Sequence, residues 1–192
     1  MIRLTGTIFL ILCSLMLTAK SWHASGKLEA LVSKALGIGE VTIVALDGEK
    51  RGSSENSGQL DIISLNRMLA AGKQHGFVVE GRAYSCREGG CAADPDHLED
   101  KDTPTGYENF DFIVIMDNSF VVLRVLVTDY NATKGHEITS RAFLRQFTGK
   151  SPSRTPVYGR NIDGISGATV SGIAITSAVS SIIDLISSTY TP

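Results

Sequence analysis

The stretch Asp111 to Met116, DFIVIM, constrains the fold more than any other part of the chain. Phe112, Val114 and Met116 alternate with Ile113 and Ile115, so a strand here is apolar on both faces and is expected to be central rather than at an edge. Asp117-Asn118-Ser119 are residue types that turn a chain, and Val121 to Thr128 after them completes a hairpin. Arg124 is the one charge inside that second run before Thr128, and it is expected where the sheet meets solvent or an anionic group.

Other segments supply partners for this hairpin. Ser25 is placed to cap a helix from Lys27 to Leu36, in which Leu28, Leu31, Val32 and Ala35 share a face and Gly37 stops the helix. Val41 to Leu46 is β-branched and apolar and reads as a strand, followed by a polar surface loop from Asp47 to Gln59. The spacing of Leu60, Ile63, Leu65, Met68 and Leu69 predicts a helix over Leu60 to Ala71, with Gly72 and Gly76 at its end. Phe77 to Tyr84 reads as a strand, and Arg87 to Gly106 is a polar, acidic insert. Two more helices are expected, Thr139 to Thr148 with Phe143 and Phe147 on one side, and Val170 to Ser188 with Ile175, Val179, Ile182 and Ile186 on one stripe. The chain has no internal repeat, and the fold class implied is α+β: a largely antiparallel sheet packed with helices.

Leu4 to Ala19 is a nearly uncharged apolar run between Arg3 and Lys20, the layout of a secretory signal, so residues 1–24 are expected to be a leader or an uncleaved anchor. The remainder of the 192 residues is about the size of one domain. Within it, residues 25–105 form the N-terminal part with the polar insert, and residues 106–192 form the core. The formal charge of −2 leaves no basic stripe for nucleic acid. Cys86 and Cys91 are an even pair once Cys13 leaves with the leader, and export favours a disulfide between them. Exchange of electrons with a redox cofactor is the alternative role for the pair. Zinc requires more than two thiols, and the run Asp94, Asp96, Glu99, Asp100, Asp102 lacks the glycine of an EF-hand loop, so no metal is expected.

The last informative stretch is DGISGATVSG, Asp163 to Gly172. Gly164, Gly167 and Gly172 around Ser-Gly-Ala-Thr describe a flexible turn entering the final helix. Unpaired N–H groups and the positive end of the helix dipole favour an anion at such a turn. On the residues alone the alternative stays open that Asp163 and Ser166 cap the turn and Thr169 caps the helix.

This stretch resembles the signature of the FMN-binding domain family, in which an acidic residue, a small hydroxyl residue and Gly-Ala precede a threonine that carries FMN. The resemblance covers roughly 80 residues, through Tyr107, the hairpin, Thr133-Lys134-Gly135, Gln146-Phe147-Thr148-Gly149-Lys150 and Ser166-Gly167-Ala168-Thr169. It implies an FMN-binding core over 106–192, with FMN attached to Thr169 by a phosphoester. It also implies supporting roles for Asp163, Ser166, Gly167 and Ala168, and contacts from the loop Thr133, Gly135 and His136 to the isoalloxazine ring. Lys134 stands where the family commonly has proline, and a cation at Lys134 or His136 would tune the flavin potential, the alternative for His136 being a solvent-facing residue in the first turn of a helix. Asn131-Ala132-Thr133 is formally a glycosylation sequon, given no weight because Thr133 belongs to this loop and the chain looks bacterial in type.

The family's chemistry implies a partner, a Mg-dependent flavin transferase with FAD as donor, and a further partner in an unidentified membrane electron donor. The resulting expectation is an exported, periplasmic or membrane-associated flavoprotein that relays electrons and is a carrier or subunit more than a complete enzyme. A flavin and dithiol reductase, and a binding module that stays unflavinylated, are the alternatives from other classes.

Overall fold

The strand that is apolar on both faces organises everything around it. A computed structural model describes residues 26–46, 60–87 and 107–190; the leader, the 47–59 loop, Cys91 and most of the acidic insert lie outside the described residues. Five strands, β1 (Val41–Ala45), β2 (Leu60–Ala70), β3 (Lys73–Arg87), β4 (Tyr107–Asp117) and β5 (Val122–Tyr130), form one antiparallel sheet in chain order. β4 lies between β3 and β5, and Phe112 through Met116 are buried throughout. Together with the helices, this makes an α+β fold.

Each face of the sheet has its own apolar layer. The helix over residues 26–36 (α1) brings Val32, Leu28 and Leu36 against Met68, Val78, Ile113 and Ile115 on one face. On the other face, the long helix α3 (Thr169–Thr189) sets Ile175, Val179, Ile182 and Ile186 against Phe77, Val79, Phe112, Val114 and Met116. Between β5 and α3, the expected Thr139–Thr148 helix is broken into a 3-10 turn (His136–Thr139), the four-residue helix α2 (Arg141–Leu144) and a second 3-10 turn (Arg145–Phe147). Phe143 and Phe147 still share a face, with ring centroids 5.8 Å apart.

Leu60–Ala70 is a strand, not the helix its spacing predicts. Ile63 is an extra residue in the ladder, because Ile62 pairs with Gly81 and Ser64 with Glu80. That bulge moves the apolar set from even to odd positions, so Leu60, Ile62 and Leu65 face α3 while Met68 faces α1 and Ile63 is exposed. A strand with a bulge therefore imitates the three-and-four spacing of a helix. The two residues after it, Ala71 and Gly72, both have positive φ (48° and 74°) and form the tight turn into β3.

The second hairpin turns at Asp117-Asn118-Ser119 as its residues predict, with Asp117 Oδ1 accepting from the N–H groups of Ser119 (2.8 Å) and Val121 (3.0 Å). Arg124 shares the α1 face with Ile115, its partner across the ladder, and its Nη2 donates to the Ala35 carbonyl (2.9 Å) in the last turn of α1. Arg124 thus meets a neutral carbonyl at the negative end of a helix in place of the expected solvent or anionic group. Beyond the reach of α1 the same face turns polar. Arg82 grips Asp111 with two hydrogen bonds (2.7 and 3.0 Å), and the Tyr84 hydroxyl donates to Asp61.

Candidate functional site

Thr169 is the first residue of α3, and its side chain is exposed with no hydrogen-bond partner among the described residues. The residue before it, Ala168, is the N-cap, at φ −131°, and no side chain caps the helix. Neither Asp163, Ser166 nor Thr169 therefore acts as the cap that the residue types alone allow. Among the described residues the N–H groups of Thr169, Val170 and Ser171 find no acceptor, and the first intrahelical bond is Gly172 N–H to the Ala168 carbonyl (2.8 Å). Three open donors on a helix of 21 residues, at the positive end of its dipole, suit an anion at the same turn as the free hydroxyl.

The approach to this turn is built from small residues held by longer ones. Gly167 has φ 85°, and a Cβ there would lie 3.2 Å from Glu137 Oε1, which puts the Glu137 carboxylate against the Ser-Gly-Ala-Thr turn. Tyr158 packs beside it, where a Cβ on Gly164 would lie 2.8 Å from its hydroxyl oxygen and a Cβ on Gly172 2.7 Å from its ring. Asp163 is exposed, and its backbone is clamped by Gln146, which accepts from its N–H (2.7 Å) and donates to its carbonyl (3.4 Å). Ser166 is exposed and makes no hydrogen bond among the described residues. Lys150 is buried, its Nζ donating to the Asn161 carbonyl (2.8 Å), and burial lowers its affinity for the proton. It holds the 150–162 loop in place.

The loop Thr133 to His136 meets the same helix. Gly135 is buried with φ 87°, and a Cβ there would lie 2.4 Å from Ser171 Oγ and 2.8 Å from Tyr130 Oη. Thr133 donates its hydroxyl to the Glu108 carboxylate, and His136 is exposed with its ring edge-on to Tyr130 at 5.3 Å. The Tyr130 ring stacks on Phe110 at 5.5 Å. Gly135 and Gly167, distant in sequence, are thus both set against the N-terminal part of α3 or the turn leading into it. Asp163 is not drawn into a side-chain contact with any of them.

Sequence reasoning missed Tyr130, Glu137, Ser171, Tyr158 and Gln146. Ser171 lies inside the motif stretch, where only its hydroxyl type marks it, and Tyr130, Glu137, Tyr158 and Gln146 belong to segments whose contacts with the turn have no local signature. Among the described residues no three His, Cys, Asp or Glu side chains are grouped to hold a metal ion. No family model matches the chain, and no curated protein matches it in sequence.

Proposed function

We propose that this protein is an extracytoplasmic flavoprotein whose Thr169 carries FMN as a phosphoester and which relays electrons between a membrane donor and an extracytoplasmic acceptor. The observation that carries this reading is the pairing, in one turn, of an exposed, unpartnered threonine hydroxyl with three backbone N–H groups that have no acceptor. Its Asp163-x-x-Ser-Gly-Ala-Thr sequence resembles the signature of FMN-binding domains.

The residues present fit such a group. The N–H groups of Thr169 to Ser171 would receive phosphate oxygens, and Gly167 would put no side chain in the approach, on the side where the Glu137 carboxylate lies. The Thr133 to His136 loop would lie along the ring, with Gly135 pressed to the helix. When bound, the flavin supplies one- and two-electron redox chemistry. On this reading a transferase with FAD and Mg²⁺ would load the protein, with Thr169 Oγ1 taking the FMN phosphoryl group as the bond between the two phosphoryl groups of FAD breaks and AMP leaves. The hydroxyl proton passes to a base, either Asp163 or a group of the transferase.

Expression beside a flavin transferase, followed by intact mass, tests the reading. The exported protein is expected to gain one FMN less a water, and Thr169→Ala to lose both the increment and the yellow colour. A wild-type chain that stays unmodified beside a competent transferase sinks the reading and favours a flavin-free binding module.

A further inference from the structure

We propose that Tyr130 is a positioning residue that registers the Thr133 to His136 loop on the first turn of α3, acting through Ser171. This inference rests on the flavin reading for its functional meaning and on geometry for its mechanism. The Tyr130 hydroxyl oxygen lies 2.6 Å from the Lys134 carbonyl oxygen and 2.9 Å from Ser171 Oγ. A phenol has one proton and a carbonyl can only accept, so that proton goes to Lys134 and Ser171 is the donor to Tyr130. The bonds therefore run one way, from Ser171 O–H to Tyr130 O–H to the Lys134 carbonyl, and each link polarises the next.

Every part of this chain is fixed from behind. Ser171 is buried in the first turn of α3, two residues past Thr169. Tyr130 ends β5 and stacks on the fully buried ring of Phe110. Gly135 fills the remaining space, since any Cβ there would collide with both hydroxyls. The loop consequently cannot slide along α3 without breaking at least one of these two hydrogen bonds. The loop would thus be held at one place relative to Thr169 before any group is attached there.

Tyr130→Phe removes only the hydroxyl and keeps the stacking, and Ser171→Ala removes the donor at the other end. In the unflavinylated proteins, both variants are expected to exchange the amide hydrogen of Ile138, which donates to the Gly135 carbonyl (3.2 Å), about fivefold faster than wild type, the effect of one net hydrogen bond. In the flavinylated proteins, Tyr130→Phe is expected to keep the mass increment, and the midpoint potential and the visible circular dichroism of the flavin are expected to shift in both variants. The double variant should shift no further than the larger single one, because both remove one chain of bonds. Unchanged exchange would overturn the clamp itself. Faster exchange with an unchanged potential and spectrum would reduce Tyr130 to a purely structural part and overturn its positioning role. A wild-type chain that gains no FMN would instead overturn the flavin reading, and with it any positioning role toward a ring.

Discussion

Gly135 is the residue on which the site has least tolerance. Its φ of 87° and the 2.4 Å that a Cβ would leave to Ser171 Oγ act together. Gly135→Ala is expected to destabilise the protein by about 2–4 kcal/mol, combining left-handed backbone strain with overpacking, and urea denaturation measures it. Tyr84 makes a second residue-scale prediction. Burial, and then its hydrogen bond to the Asp61 carboxylate, raise its phenol from 10.0 to about 12. A proton held more tightly by the folded state is a stabilising term that is complete below the unfolded value near 10 and is lost as pH climbs toward 12. The urea midpoint should therefore fall across pH 10 to 12, and fall less steeply in Tyr84→Phe.

Among the elements, α3 does two jobs, closing one face of the sheet along its length and offering open donors at its start. Ile182 is fully buried among the apolar residues of that face, so Ile182→Ala should cost about 2–5 kcal/mol in chemical denaturation. α3 was legible in the sequence because its stripe of Ile175, Val179, Ile182 and Ile186 is local and regular. So was the turn before it, whose glycines and threonine lie within ten residues. β2 was not, because the bulge at Ile63 breaks the alternation that marks a strand and leaves apolar residues at helical intervals. The Ala71-Gly72 turn hid the hairpin further, since alanine gives no hint of the positive φ it adopts there. The contact of Tyr130 with Ser171 spans 41 positions and has no local signature, so the clamp on the site was invisible.

At the scale of the whole molecule, β4 belongs to both apolar layers at once. Phe112, Val114 and Met116 contribute to one and Ile113 and Ile115 to the other, so neither layer can loosen without disturbing the same strand. Thermal unfolding followed by far-UV and near-UV circular dichroism should therefore coincide in one transition, and Ile115→Ala should lower that same transition instead of creating a second. Two separated transitions would mean that the layers melt independently.

The order of the strands has a consequence in time. Each strand pairs with its neighbour in the chain, so every ladder of the sheet closes over a comparatively short stretch of polypeptide. α3 is different, reaching back from residue 169 onward to cover β3 and β4. Synthesis runs from the N-terminus, so the five strands are all made before this helix exists. A chain that stops short of residue 169 lacks the helix that covers one apolar face, and with it the helix start at Thr169. A group attached at that threonine would in this way require the helix that covers the sheet to be in place.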